Sequence, residues 1–276
     1  MDGNTIILDN LQIGYTHNRQ AMPVVGVIDA VLHKGELVAL VGCNGAGKST
    51  LLRTLSAFQE PLAGSITYPD GKNHRRKASE LATQLAVVLT GNGGIHSLTV
   101  REVVAMGRVP YTGLIGHERR RDKEAVEVAM QAVGIGHLSE RRIETLSDGE
   151  RQKAMIAKAL AQETPVIMLD EPTAFLDFGS RVQLFRLLQG LAHENGKSIL
   201  VSTHDLELVL HLADRLWLIH DKKMHTGTVE ALSDNGVLSS FIEAEGISIP
   251  LHRIRAAGRQ SEQRNSVSAR SPRKCR

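Results

Sequence analysis

The chain has 276 residues, 42% of them hydrophobic and 23% charged, with a formal net charge of +3. That length fits one large domain, or one domain with a small insert, and the composition is that of a soluble globular protein able to bury a full core. Aromatic residues make up only 3%, which excludes a base-stacking surface, so no nucleic-acid partner is expected.

The positive charge is concentrated at one end. Residues 252–276 hold eight Lys or Arg against one Glu, so the remainder is mildly acidic. The stretch 250–276 is rich in Arg, Ser and Gln and nearly free of large apolar groups, and reads as a disordered basic tail behind a domain spanning 4–249. The two cysteines, Cys43 and Cys275, do not read as a structural disulfide, which suits a reducing compartment. Met1 to Asn4 shows no signal-peptide pattern, and no run approaches the roughly 18 apolar residues of a membrane-spanning helix. Any transport role therefore calls for a separate membrane partner.

In chain order, Thr5 to Tyr15 and Val24 to Leu32 alternate like strands, and His33 to Gly35 is a turn. Glu36 to Val41 is a short apolar run of the buried-strand type, and Lys48 to Phe58 has a helical pattern. Gly64 to Tyr68 and Leu85 to Leu89 read as strands around a basic loop, Lys72 to Lys77. Thr99 to Val133 is helical, opening on the capping box Thr99–Glu102 and broken near Pro110 to Arg121; it belongs to a small helical insert over about 91–145. Further helices are expected from Ser147 towards Gln162, Ser180 to Asn195 and Leu206 to Ala213. Strands are expected over Pro165 to Leu169, Ser198 to Ser202 and Leu216 to His220. Alternating strands and helices define an α/β fold with a mostly parallel sheet covered on both faces.

Between the strand 36–41 and the helix from Lys48 lies Gly42, Cys43, Asn44, Gly45, Ala46, Gly47, Lys48, Ser49 and then Thr50, a full G-x-x-x-x-G-K-[ST] pattern. Its glycines let successive N–H groups turn inward onto phosphate oxygens, and the following helix adds its positive end. Lys48 is placed to reach the β- and γ-phosphates and Ser49 to ligate Mg²⁺. Cys43 sits where the backbone N–H alone matters, although a redox role is open to it. A second apolar strand ends in Asp170 and Glu171, carboxylates at the sheet edge where α/β proteins bind ligands. Asp170 suits a metal and Glu171 suits the polarisation of an attacking water.

Leu146, Ser147, Asp148, Gly149 and Glu150, followed by Arg151 and Gln152, resemble the signature of ABC ATPases, usually written LSGGQ. Ala174 to Asp177 resembles the family's D-loop, Ser202 to Asp205 its switch-histidine segment, and Tyr15, 33 residues before Lys48, its adenine-stacking aromatic. The same residues have plainer readings: Ser147 and Glu150 also form a capping box, and Tyr15 is also a good strand residue. The resemblance covers about residues 4–246. It implies a P-loop NTPase core with an N-terminal antiparallel β-subdomain and a helical insert. It also implies ATP and Mg²⁺ as cofactors, with Glu171 and His204 catalytic. Nucleotide contacts would come from Tyr15, Gly42 to Thr50, Ser147, Gly149 and Asp177, and metal contacts from Ser49, Asp170 and Thr90. Two copies would pack head to tail, each ATP lying between the phosphate loop of one and Ser147 and Gly149 of the other.

Three positions depart from the family pattern, one of them Glu150 in place of the signature's glutamine. Thr90 stands where the family has a glutamine, at the end of the strand from Leu85, and a hydroxyl reaches a metal less well than an amide. Asp148 replaces a glycine of the signature; a carboxylate repels phosphate, so Asp148 is expected to turn towards its own helix end. The segment from Thr99 to Gly113, with Gly107, Arg108, Pro110 and Tyr111, resembles the insert of iron–siderophore, haem and cobalamin importers. This implies an ATPase subunit at the cytoplasmic face of the bacterial inner membrane, working with polytopic permease subunits and indirectly with a substrate-binding protein. A soluble ABC ATPase of iron–sulfur assembly is the competing class.

Overall fold

The computed structural model describes residues 6–18, 20–73, 77–89, 97–112 and 119–247. Thr90 and the tail 250–276 lie outside the described residues, as do parts of the helical insert.

The chain opens with β1 (Ile6–Gln12), β2 (Gly14–His17), β3 (Gln20–Pro23) and β4 (Ile28–Leu32), then runs through β5 (Leu37–Gly42) into α1 (Lys48–Leu55). Next come β6 (Ala63–Thr67), α2 (Ala78–Leu81) and β7 (Leu85–Val88). The insert contributes α3 (Val100–Ala105), α4 (Val109–Thr112) and α5 (Arg120–Ala132). The second half holds α6 (Asp148–Ala161), β8 (Val166–Asp170), α7 (Phe178–His193), β9 (Ser198–Ser202), α8 (Leu206–Leu212), β10 (Arg215–His220), β11 (Lys223–Gly227), α9 (Val229–Asp234) and α10 (Val237–Ala244).

The main sheet has the order β11-β10-β5-β9-β8-β7, parallel throughout except for β11, which pairs antiparallel with β10. Strand residues alternate between two cores, as a period of two requires. Leu37, Ala39, Val41, Ile167, Leu169, Ile199 and Val201 join the core beneath α5 to α10. Val38, Leu40, Val166, Met168, Leu200 and Trp217 join a second core with α1 and the antiparallel sheet β4-β1-β6. Burial on both faces explains why the central strands read as continuous apolar runs.

Several expectations shift; the strand expected over Val24 to Leu32, for one, begins only at Ile28. The strand expected from Thr5 to Tyr15 divides at Ile13, and β2 pairs with β3 as a separate hairpin. A Cβ on Gly14 would sit 2.1 Å from the Met22 carbonyl oxygen, so only glycine allows this crossing. The helix from Lys48 stops at Leu55 instead of Phe58: Ser56 Oγ bonds back to the Leu52 carbonyl, and Ala57 turns to φ +55°. Helix α7 starts at Phe178, two residues earlier than expected, because Asp177 caps it by accepting from Ser180 N–H at 3.0 Å.

The insert is joined to α6 through buried polar contacts. Arg108 is 3% exposed and Asp122 4%. The Arg108 Nε donates to Asp122 Oδ1 at 2.9 Å, and its Nη1 donates to Glu163 Oε2 and the Ala161 carbonyl, each at 2.7 Å. The guanidinium also lies over the Tyr111 ring, 4.3 Å from its centre. Gln162 then ties the end of α6 to the main sheet, donating to the Leu85 carbonyl at 3.0 Å. Next to Arg108, a Cβ on Gly107 would lie 2.2 Å from the Lys158 carbonyl oxygen, a backbone atom that cannot swing aside. Gly107→Ala should therefore destabilise the fold by about 1–3 kcal/mol, the cost of overpacking. An unchanged urea midpoint would show that the insert and α6 are not in this contact.

Candidate active site

The order β5-β9-β8 sets three strand ends side by side, and the chemistry leaves from their C-terminal edge. Strand β5 delivers the loop Gly42 to Ser49, β8 delivers Asp170 and Glu171, and β9 leads to His204. In the loop, Gly47 adopts φ +111° and begins α1, while a Cβ there would press at 3.0 Å on both Val24 and Val25. Glycine is thus required on two counts, and the turn directs backbone N–H groups at the start of a helix.

Lys48 is 5% exposed, and its Nζ donates to the Gly42 carbonyl at 2.7 Å and the Cys43 carbonyl at 3.1 Å. Burial pushes its ammonium below the ordinary lysine range, opposed by Glu171, Cys43 and Asp170. Cys43 itself is exposed and not in a disulfide. Ser49 Oγ faces Asp170 Oδ1 at 3.5 Å, bringing a hydroxyl and a carboxylate together. Hard oxygen donors of this kind suit Mg²⁺. The Tyr15 hydroxyl lies 2.9 Å from Thr50 Oγ1, joining the exposed aromatic to the buried first turn of α1.

Glu171 follows β8 in a left-handed conformation, φ +47°, which costs about 1–2 kcal/mol for a residue with a side chain. That turn brings Glu171 Oε1 to 2.7 Å from His204 Nε2. Backbone strain of this kind clusters at functional sites.

Ser147 and Gly149 are not brought to the phosphate loop of their own chain: among the described residues no hydrogen bond joins them to it. Ser147 caps α6, sharing Glu150 in a capping box, with Glu150 Oε2 at 2.9 Å from both Ser147 N and Oγ. Gly149 faces the D-loop, where an added Cβ would meet Leu176 and Ser180 at 3.9 Å. Asp148 turns back along α6 to Arg151, at 3.3 Å, as its charge requires. Asp177 keeps both carboxylate oxygens on Ser180.

Arg181 and the bonding role of Ser202, which the sequence places only as the first residue of the switch-histidine segment, escape sequence reasoning. Arg181 donates to Asp205 at 2.7 Å and to the Leu176 carbonyl at 2.8 Å, fastening the histidine segment to the D-loop. Ser202 bonds to both Asp170 and Glu171. Arg181 carried no signal beyond its nearness to a motif, and Ser202 none for its two bonds.

A glycine loop between a buried strand and a helix, with paired carboxylates on an adjoining parallel strand, defines a P-loop nucleoside triphosphatase. The sequence profile of the ABC transporter family matches residues 26–174. An uncharacterized ABC transporter ATP-binding protein of Methanocaldococcus jannaschii is 43% identical over 217 residues, 78% of this chain and 73% of that one. The ferric enterobactin transport ATP-binding protein of Escherichia coli is 41% identical over 191 residues, 69% of this chain and 70% of that one. A solved structure of a dimeric bacterial ABC transporter cassette superposes with a TM-score of 0.69 and 25% identity, covering 81% of this chain and 98% of that one. The chain belongs to the ABC transporter family, as an ATP-binding cassette with the family's ATPase activity.

Proposed function

We propose that this chain powers import of an iron complex, a siderophore or haem, or of cobalamin, through a separate polytopic permease. The observation that carries the catalytic part is the Glu171–His204 pair at 2.7 Å beside the phosphate loop and the facing Ser49 and Asp170. In this reading Glu171 accepts a proton from the attacking water, and His204 holds that carboxylate in place and meets the γ-phosphate. Lys48 balances phosphate charge, and backbone N–H groups of Gly42 to Thr50 surround the phosphates. Tyr15 stacks on adenine, held by its hydroxyl bond to Thr50. Ser49 and Asp170 would hold Mg²⁺, with Thr90 as a third candidate ligand. When bound, the cation neutralises charge on the phosphate oxygens.

Ser147, Gly149 and Asp177 lie on the half of the site that a second copy would complete. That no hydrogen bond among the described residues joins Ser147 or Gly149 to their own phosphate loop fits a head-to-tail pair in which ATP joins two chains. The domain is taken as 4–249, with the insert over about 91–145 facing the permease and the tail 250–276 outside the working unit. The protein would sit at the cytoplasmic face of a bacterial inner membrane, receiving cargo indirectly from a substrate-binding protein. Among the described residues no helix is long and apolar enough to cross a membrane. The ferric enterobactin relative supports the iron-complex reading over a soluble iron–sulfur assembly ATPase.

Two measurements test this. Lys48→Ala should weaken ATP binding about 10- to 100-fold, the loss of one or more charge-assisted hydrogen bonds, with a near-native melting temperature. Unaltered affinity would remove Lys48 from the phosphate site. Purification from membranes should recover a polytopic permease together with stimulated ATPase; recovery of soluble partners alone would overturn the transport reading.

A further inference from the structure

We propose that Ser202 is a positioning residue that sets both arms of the hydrolytic site, the Asp170 carboxylate and the Glu171 backbone, with a single hydroxyl. Ser202 ends β9 and is completely buried, paired in register with Asp170 on β8 and with Leu40 on β5. Its Oγ lies 2.7 Å from Asp170 Oδ1 and 2.9 Å from Glu171 N. The direction of both bonds is forced. A serine hydroxyl has one proton, and the Glu171 N–H can only donate. Ser202 therefore accepts from Glu171 and gives its proton to Asp170.

This arrangement has two consequences. Asp170 Oδ1 is occupied by Ser202 and faces Ser49 Oγ at 3.5 Å, whereas no hydrogen bond among the described residues reaches Asp170 Oδ2. The carboxylate is thereby held in one rotation, with Oδ1 turned towards Ser49 and lone pairs on both oxygens still open to a divalent cation. Meanwhile the Glu171 N–H is shared between Ser202 Oγ and the Ser202 carbonyl, the latter at 3.2 Å, just where the backbone enters its left-handed turn. Ser202 thus stabilises the turn that carries the Glu171 carboxylate to His204. The chain Glu171–Ser202–Asp170 joins the residue that would act on water to the residue that would hold the metal. Groups that bond to a metal-binding carboxylate affect cation affinity strongly.

The inference rests on the reading of Asp170 as a cation ligand. The test uses the full chain loaded with a non-hydrolysable ATP analogue and titrated with Mn²⁺, followed by its paramagnetic resonance. Ser202→Ala removes one atom from a packed site and should fold with a melting temperature within a few degrees of the parent. Its half-saturating Mn²⁺ concentration should rise about 10-fold or more, the range seen when such supporting bonds are lost. Analogue affinity in chelator should change less than about 2-fold, because no phosphate contact is altered. Ser202→Thr keeps the hydroxyl and should restore most of the cation affinity. Parental Mn²⁺ affinity in Ser202→Ala would overturn the inference. So would a loss matched by equal losses of melting temperature and of analogue affinity in chelator, since that pattern marks a packing role alone. Asp170→Asn is the control. If it binds Mn²⁺ like the parent, the assignment of Asp170 fails; if it is impaired while Ser202→Ala is not, only the role of Ser202 fails.

Discussion

Glu171→Gln should lower ATP hydrolysis by about 10²- to 10⁴-fold, the contribution of a positioned general base, while ATP binding changes little. The amide matches the carboxylate in size and can still accept from His204 Nε2, so the 2.7 Å contact survives in geometry. It cannot take a proton from water at neutral pH. Phosphate release measures the first effect. Light scattering of the full chain measures the second: with hydrolysis blocked, ATP should hold two copies together, so the mass doubles on adding ATP and stays doubled. Turnover equal to that of the parent would remove Glu171 from the mechanism. A variant that neither hydrolyses ATP nor pairs would instead place Glu171 in assembly of the site.

The largest effect on stability should come from Arg108→Ala. Removing one partner of a buried ion pair costs about 3–5 kcal/mol, because the remaining charge stays buried without compensation. Here the Asp122 carboxylate, 4% exposed, would lose the Arg108 guanidinium and keep the Arg119 N–H at 3.0 Å. Arg108→Ala with Asp122→Asn should recover part of the loss, since the stranded charge is gone. Urea unfolding of the single and double variants measures both. A single-variant loss under about 1 kcal/mol would show that Arg108 is not sealed from water. The pair also predicts the acid limb. Burial pushes the Asp122 carboxyl up, but the Arg119 N–H and the Arg108 guanidinium outweigh this and leave it below the ordinary aspartate range. Stability from Asp122 is therefore present above the unfolded-state pKa and is lost as pH falls through the lower folded-state value. The double variant should lack that part of the acid decline.

The motifs were legible because each is a contiguous run, lying either at the end of a short apolar strand or at the start of a helix. Strand, glycine loop and helix over 37–55 follow one another without interruption, so local pattern alone identifies them. The D-loop was recognisable from Ala174 to Asp177, but the capping bond from Ser180 was missed, and with it the first two residues of α7. Residues whose roles depend on distant partners were not legible. The partners of Arg108 are 14 and 55 positions away, and an arginine beside Pro110 gives no sign that it is buried. Ser202 reaches Asp170 across 32 positions, and only the adjacency of β8 and β9 reveals it. The β2–β3 hairpin was lost for a different reason: alternation runs through Ile13, and the turn depends on a close backbone approach at Gly14.

The close seat of Gly107 against Lys158, with Arg108 fastened to Glu163, also has a mechanical meaning. Helix α6 has 14 residues and so is about 21 Å long. Its N-terminal end carries the capping Ser147 and Gly149, and its last turn is clamped to the insert. An element held this stiffly at one end behaves as a lever, and a tilt of about 10° about one end displaces the other by about 4 Å. Because the insert is fastened to the last turn, a tilt of α6 about its Ser147 end would carry the insert along with it rather than be absorbed at the joint. The size of such a movement would be set by the length of one helix and by the angle of tilt.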